Sequence, residues 1–291
     1  MKKIAIVIVN YNGINFQKNC LESILNSSNQ NFIIIIVDNG SVDKSMEEVE
    51  NLNNDKIITI YNNSNLGVAA ANNIGIKKGI ELGCDFTLLI NNDTEICNNT
   101  LEVLINKSDN FDIVSPKILF WETHNIWYFG GGFNKVKGRN VHWHYNKIDN
   151  FYNQDIVCSY APTCCLLINN IVFDKIGFMD ENYFLYFDDT DFCMRLMNAK
   201  IKILVTADTY IYHKVSASTG KKFSYIRVYY LNRNRLYFLK KFKKNFLFIT
   251  KYLGVLSRYY KMIFGNNDEK KYVKIAYADF KKNKMGGKNF S

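Results

Sequence analysis

Ile4-Ala5-Ile6-Val7-Ile8-Val9 runs without interruption into Asn10-Tyr11-Asn12-Gly13. A short, β-branched apolar run without polar alternation reads as a strand buried on both faces, the kind found in parallel sheets covered by helices. The pattern returns at Phe32-Ile33-Ile34-Ile35-Ile36-Val37 before Asp38-Asn39-Gly40-Ser41, at Ile57-Ile58-Thr59-Ile60, and at Phe86-Thr87-Leu88-Leu89-Ile90 before Asn91-Asn92-Asp93-Thr94. Between these runs, residues 15–28, 43–53 and 67–82 carry helix-like spacing. The resulting β-α-β-α-β-α-β order predicts an α/β chain whose mostly parallel central sheet is flanked by helices. Ligands of such sheets bind beyond the carboxyl ends of the strands. Asn, Asp and Gly are ordinary turn formers, yet three polar turns collected at one sheet edge make that edge a candidate binding site.

At 291 residues the chain is long enough for one large domain with an appendage or for two small domains. With 47% hydrophobic and 22% charged residues it reads as globular, and Pro116 and Pro162 are its only prolines, so no Pro-rich linker separates independent units. Seven cysteines (Cys20, Cys84, Cys97, Cys158, Cys164, Cys165 and Cys193) lack Cys-x-x-Cys spacing and are odd in number. That usage fits a reducing cytosol better than a closed disulfide framework. Met1-Lys2-Lys3 leads straight into the first apolar run with no small-residue cleavage site, so no secretory leader is expected. No run approaches the length of about 18 apolar residues that would suggest a transmembrane helix.

The formal net charge of +10 is unevenly held: residues 1–213 carry 17 Lys/Arg and 24 Asp/Glu, whereas residues 214–291 carry 20 and 3. This shift places a boundary between a mildly acidic α/β body, 1–213, and a basic, aromatic, helical C-terminal region, 214–291.

A second acidic feature lies in Phe184-Leu185-Tyr186-Phe187-Asp188-Asp189-Thr190-Asp191, ahead of the helical-looking Phe192-Cys193-Met194-Arg195-Leu196-Met197. Three carboxylates in four residues are costly to hold together unless a cation, a proton or a substrate hydroxyl uses them. Capping by Asp188 or Asp189, with Asp191 pairing to Arg195 one turn later, accounts for the same residues. The residues alone leave these readings level. His142 and His144 share a strand face in Val141-His142-Trp143-His144-Tyr145 but lack a third ligand at a recognisable spacing, which favours a structural or surface role over metal binding. Cys164-Cys165-Leu166-Leu167-Ile168 reads as a buried strand, with a short helix expected near 170–176.

Taken in order, Val9-Asn10-Tyr11-Asn12-Gly13, Val37-Asp38-Asn39-Gly40-Ser41, Asn65-Leu66-Gly67 with Ala71-Asn72-Asn73-Ile74-Gly75, Leu89-Ile90-Asn91-Asn92-Asp93-Thr94 and Phe184 to Asp191 form one pattern. It resembles family 2 glycosyltransferases, especially their rhamnosyltransferase-like branch, over about residues 3–240. The resemblance implies a GT-A fold, with a nucleotide-binding part at about 1–110 and an acceptor-binding part at about 111–213. It also implies inverting transfer of a sugar such as rhamnose or a hexose from a nucleotide-diphosphate donor, usually with Mg²⁺ or Mn²⁺, to a glycan or lipid-linked glycan of a cell-surface polysaccharide.

Carried onto this sequence, the resemblance assigns Asp38 to the nucleotide base and Asn10 and Tyr11 to the nucleoside. Asn12, Asn39, Asn65, Gly67, Asn72, Asn73, Asn91 and Asn92 join the same nucleotide-binding group. Asn91-Asn92-Asp93 stands where the family has Asp-x-Asp, so Asp93 becomes the metal-contacting acid. His213, followed by Lys214 and residues 215–219, matches a metal or diphosphate contact. Asp189 takes the place of the acceptor-side base, with Asp188 orienting the acceptor or capping the helix, and Asp191, Gly131, Gly132 and Thr163 are acceptor-site candidates. A metal would stabilise charge developing on the leaving diphosphate, and a carboxylate among aromatics suits proton abstraction.

The basic C-terminal region offers a further expectation. As one helix over 240–261, it would gather Lys240, Lys244, Lys251 and Arg258 on one side and Phe242, Phe246, Ile249, Leu253, Leu256 and Tyr260 on the other. Packing on the body and docking on an anionic membrane both fit such a stripe, which makes a cytoplasmic chain, peripheral on the inner membrane face, the expectation. Within this region Arg233-Asn234 is a candidate contact for an acceptor or donor phosphate. No nucleic-acid partner is expected, because no recognisable nucleic-acid-binding motif accompanies the charge. The rival functions are a nucleotidyltransferase, which would want a Gly-rich basic phosphate loop after the first strand, and a non-catalytic sugar-nucleotide or membrane-binding module.

Overall fold

The computed structural model describes residues 2–150, 152–214 and 224–290. Strand β1 (Ile4–Asn10) is followed by helix α1 (Gln17–Leu25), β2 (Phe32–Asp38), α2 (Ser45–Asn51), β3 (Ile57–Tyr61), α3 (Val68–Glu81) and β4 (Phe86–Asn91), the alternation expected from the apolar runs. These strands lie parallel in the order β3-β2-β1-β4. The Ile, Val and Leu side chains of β1, β2 and β4 are buried almost throughout, which is why those runs show no polar alternation. Helix α3 approaches the sheet closely: a Cβ on Gly75 would lie 2.3 Å from Val7 Cγ1, and one on Gly79 would lie 2.4 Å from Ala5 Cβ.

After β4 come β5 (Thr94–Ile96), α4 (Thr100–Lys107), β6 (Ile113–Phe120), β7 (Ile126–Tyr128), β8 (Gly131–Asn134) and β9 (Arg139–His142). Then follow β10 (Ile156–Cys158), β11 (Cys165–Asn169), α5 (Ile171–Ile176), α6 (Asp188–Asn198) and β12 (Ile203–His213). Strand β11 inserts antiparallel between β4 and β6, and β12 runs parallel to β6. The main sheet therefore reads β10-β12-β6-β11-β4-β1-β2-β3, parallel at one side and mixed at the other, while β8 and β9 pair as a separate hairpin. Register sets Asn10 beside Asp38 and Val9 beside Asn91. The carboxyl ends of β1, β2 and β4 thus open at one edge, and β5 brings Thr94 opposite His213 of β12.

Helices α7 (Ser224–Lys241), α8 (Phe248–Phe264) and α9 (Asn267–Lys281) complete the chain, α7 packing on α9 and α8 on both. Phe238 and Phe242 of α7 and its end share an apolar cluster with Tyr183, Phe187 and Met194 of the body. The single helix expected over 240–261 is broken, since α7 stops at Lys241 and α8 starts at Phe248. Within α8, Arg258 does lie opposite Ile249, Leu253, Leu256 and Tyr260, and it is the Arg258 side that is buried while the apolar side is exposed. The cause is close packing of small groups, because Thr250 Oγ1 donates to the Lys135 carbonyl at 2.8 Å and a Cβ on Gly254 would lie 2.8 Å from Leu239.

Candidate active site

At the carboxyl edge of the sheet, Asn10 is fully buried and organises the first two turns. Its amide Nδ2 faces Asp38 Oδ1 at 3.0 Å, Ser41 Oγ at 3.1 Å and Ser45 Oγ at 2.8 Å, while Asn92 Nδ2 donates to its Oδ1 at 3.1 Å. Asp38 Oδ2 accepts from the Ser41 amide at 3.0 Å. Asn12, in a left-handed conformation with φ 54°, accepts from the Val42 amide at 2.9 Å and so joins the two turns. Tyr11 stands free at 47% exposure above this bonded floor, a ring available for stacking on a planar ligand.

Some residues assigned to the nucleotide are committed elsewhere. Asn39 donates to Asn65 Oδ1 and the Gly67 carbonyl and accepts from Asn62 Nδ2 and the Leu66 amide, so all its hydrogen-bonding places are taken. Asn65 also accepts from the Gly67 amide at 2.9 Å. Asn73 is corrected outright: it is buried, with its amide closed on Met179 and Glu181. Gly67 has φ +89°, and a Cβ there would lie 2.6 Å from the Phe184 carbonyl oxygen, so this loop is clasped to the acidic turn. Asn72 is buried on α3, whereas Asn91 is exposed at the end of β4.

The third turn and the end of β12 meet at Asp93 and His213, whose Oδ1 and Nε2 lie 3.2 Å apart. Among the described residues no hydrogen bond of proper geometry closes on Asp93 Oδ1 or on His213 Nδ1, although both atoms are buried. An orphaned carboxylate oxygen beside an imidazole nitrogen is a donor set that fits a divalent cation, Mn²⁺ accepting both atoms and Mg²⁺ favouring the oxygen. Asp93 and His213 would hold the ion. Among the described residues no group of three His, Cys, Asp or Glu could do so, so the remaining places would fall to phosphate oxygens and water.

The acidic run forms a strained helix entry. Tyr186 and Phe187 both adopt left-handed backbone, φ 66° and 72°, immediately before α6 begins at Asp188. Such a conformation costs roughly 1–2 kcal/mol per non-glycine residue. Asn234 of α7 holds it, its Nδ2 donating to the carbonyls of Leu185 at 2.9 Å and Tyr186 at 3.0 Å. Arg233 points the other way, to Tyr229 and the carbonyl of Gly286. Asn234 is buried with its amide committed to the Leu185 and Tyr186 carbonyls, which corrects its reading as a phosphate contact, whereas buried Arg233 keeps its Nη2 without a hydrogen-bond partner among the described residues.

The three carboxylates have separate environments. Asp189 is partly exposed and accepts the Tyr160 hydroxyl at 2.5 Å on Oδ2, while its Oδ1 accepts from the Thr190 amide and hydroxyl. Asp188 is buried, and desolvation, with the neighbouring Asp189 charge, pushes its carboxyl up to about 7. Asp191 is fully buried between Arg195 Nε at 2.8 Å and Lys241 Nζ at 2.6 Å. Its place in the acceptor site is therefore corrected to a brace joining α6 to α7. The pairing to Arg195 expected from one-turn spacing is present.

An aromatic chain connects the two polar centres. The Trp127 ring packs perpendicular to His213, with centroids 4.7 Å apart, and edge-on to His142 at 5.1 Å. His142 in turn lies 5.5 Å from Tyr160, the donor to Asp189. Burial holds the His142 imidazole below its usual range, opposed by the Trp127 carbonyl and by Asp189. Gly131 fits beneath this layer because a Cβ would lie 2.8 Å from the Tyr160 ring, and Gly132 is buried against Trp143. Thr163 is buried next to Cys164, whose thiol is held well above its usual range by burial, then Cys165, then the charges of Asp93 and Asp189. Trp127, Tyr160 and the placement of His142 escaped the sequence reading, since the spacing of an aromatic cluster is made only by the β7–β9 fold. All seven cysteines are free.

The sequence model described as Glycosyl transferase family 2 matches residues 5–177. Low-salt glycan biosynthesis hexosyltransferase Agl10 of Haloferax volcanii is 28% identical over 213 residues, spanning 69% of this chain and 63% of its own length, just under two thirds. The dTDP-rhamnosyl transferase RfbF of Shigella flexneri is 25% identical over 242 residues, 81% of this chain and 79% of its own. Among solved structures, GalNAc-T7 with UDP, GalNAc and Mn²⁺ superposes with a TM-score of 0.61 at 14% identity, over 73% of this chain and 44% of the other. Residues 1–349 of S. aureus TarS with UDP-GlcNAc give 0.58 at 16% identity, over 96% and 80%. These likenesses show a GT-A-like fold.

Proposed function

Because this chain belongs to glycosyl transferase family 2, we propose that it transfers a hexosyl or rhamnosyl group from a nucleoside-diphosphate sugar to a hydroxyl of a glycan or lipid-linked glycan, with inversion. The observation that carries this reading is the Trp127 ring between His213 and His142, which links the Asp93–His213 pair to the Tyr160–Asp189 pair. A donor phosphate at the first pair and an acceptor hydroxyl at the second would leave the anomeric carbon between them.

In this reading Asp38 receives the base, Tyr11 stacks on the nucleoside, and Asn91 and Asn92 border the ribose and phosphates. Mg²⁺ or Mn²⁺, when bound by Asp93 and His213, would neutralise charge developing on the leaving diphosphate. Asp189 accepts the proton of the acceptor hydroxyl as its oxygen bonds to the anomeric carbon; the bond from that carbon to the diphosphate oxygen breaks, and its electron pair leaves with the diphosphate. Asp188, whose ionisation is disfavoured by burial and by the Asp189 charge at the entry to α6, orients the acceptor side. Gly131, Gly132 and Thr163 shape the acceptor wall through backbone and small side chains. The Agl10 and RfbF likenesses favour a sugar of the rhamnose or hexose kind and a role in glycan synthesis, and seven free thiols favour a reducing, cytoplasmic setting.

A thermal-unfolding screen of UDP-, dTDP- and GDP-sugars with and without Mn²⁺ tests the reading, because a ligand that binds only the folded state stabilises it by mass action. One donor class should raise the midpoint, more so with metal, and that donor should then be consumed with an acceptor glycan. Stabilisation without donor hydrolysis or transfer across an acceptor panel would identify a binding module instead.

A further inference from the structure

Helix α8 is built inside out. Phe248, Ile249, Tyr252, Leu253, Leu256, Tyr259, Tyr260, Ile263 and Phe264 are all exposed, Phe248 at 86% and Phe264 at 69%, whereas Thr250, Gly254 and Arg258 face the body. At 100° per residue the nine apolar side chains fall within roughly 160° of the helix circumference. A contiguous apolar face of this kind on a folded chain marks an interaction surface, not scattered exposure.

Charge identifies the occupant. Residues 242–267 contain Lys243, Lys244, Lys251, Arg258 and Lys261 and no Asp or Glu. Lys243, Lys244 and Lys251 are exposed beside the apolar arc. A second copy seated on this face would bring cations against cations, while anionic phospholipid headgroups would neutralise them. Tyr252, Tyr259 and Tyr260 add rings with a polar tip, which suit the boundary between headgroups and acyl chains. Among the described residues no helix is long and apolar enough to cross a membrane, so the fitting geometry is a helix lying in the surface plane.

We infer that α8 docks this chain on an anionic bilayer surface, its apolar arc entering the acyl boundary and Lys243, Lys244 and Lys251 meeting the headgroups. The inference stands on α8 alone and does not require the transferase reading. Docking would hold the chain where a lipid-linked acceptor lies, with α7 and the β8–β9 turn connecting α8 to the site: Arg235 of α7 donates to the Lys137 carbonyl and Thr250 of α8 to the Lys135 carbonyl.

Vesicle co-sedimentation of the full chain separates the outcomes. Vesicles of phosphatidylcholine with phosphatidylglycerol should bind it at least tenfold better than phosphatidylcholine alone, and binding should weaken as salt is raised. The exposed-site double variant Leu256→Glu/Tyr260→Glu should lose at least tenfold of that binding, and Lys243→Gln/Lys244→Gln/Lys251→Gln should lose the preference for anionic lipid, with unfolding midpoints and nucleotide-sugar binding unchanged. No binding to anionic vesicles, binding indifferent to both variants, or a solution dimer abolished by Leu256→Glu/Tyr260→Glu would overturn the inference.

Discussion

Tyr160 donates its hydroxyl to Asp189 Oδ2 at 2.5 Å from a ring that is itself enclosed by Gly131, Tyr128 and His142. A partly exposed carboxylate is thereby aimed by a rigid neighbour. Asp189→Asn should leave folding intact and lower kcat by about 10²–10⁴-fold, the usual contribution of general-base catalysis. Tyr160→Phe removes only the aiming bond, so kcat should fall about tenfold, near 1.4 kcal/mol on the barrier, with donor binding unchanged. Steady-state kinetics with unfolding curves check both; wild-type kcat in Asp189→Asn would remove Asp189 from the reaction.

Asp188 supplies a stability signature. Its folded carboxyl sits near 7, raised by desolvation and by Asp189, above the unfolded value of about 4. The protonated form is therefore favoured by the fold: its contribution is complete below pH about 4 and is lost as pH rises to about 7, at roughly 1.4 kcal/mol per unit. Asp188→Asn keeps a neutral group throughout. Measured by urea unfolding, its stability relative to wild type should improve by about 2–3 kcal/mol between pH 5 and pH 8. Parallel pH profiles for the two proteins would contradict the burial argument.

How much of this could be read from the chain depends on range. Asn10 and Asp38 end strands and Asp93 lies in the turn just after one, so strand periodicity located them before any contact was visible. Asp191 misled because a carboxylate beside the proposed base looks the same in sequence whether it faces a cleft or, as here, Arg195 and Lys241. Asn73 failed for a related reason: its partners Met179 and Glu181 lie more than a hundred residues away. Which side of α8 meets the body was illegible, because hydrophobic periodicity gives a face but not the side on which the body lies.

The Asp93–His213 pair predicts a divided donor response. Asp93→Asn or His213→Ala should abolish the Mn²⁺-dependent part of nucleotide-sugar stabilisation while leaving the part contributed around Asp38 and Tyr11. For a donor at 100 times its Kd the full effect is about 2.7 kcal/mol, large enough to divide by thermal unfolding with and without EDTA. Metal dependence surviving in both variants would move the cation elsewhere.

Asn234 tests whether α7 maintains the acidic turn. Replacing it with Ala strips two carbonyls of their donors next to left-handed Tyr186 and Phe187. Stability should fall by about 1–3 kcal/mol, and kcat should fall while donor affinity, governed at the other edge, stays near wild type. A loss of donor binding matching the loss of kcat would mean that the turn and the donor edge move together.

Gly13 bears on the donor edge alone. A Cβ at this position would lie 2.3 Å from both Asn10 Oδ1 and Asn92 Nδ2, the two atoms that share a 3.1 Å hydrogen bond. Gly13→Ala must therefore displace Asn92 and detach the third turn from the first. Donor KM should rise with kcat little changed, because the acceptor-side pair Tyr160–Asp189 is remote from the clash. Asn92→Ala removes the same bond by another route, so the two changes should be strongly non-additive: once Asn92 is truncated, Gly13→Ala loses one of its two clashes and has no bond left to break. A double variant whose KM rises by the full product of the single effects would show that Gly13 acts on the donor through something other than the Asn10–Asn92 bond.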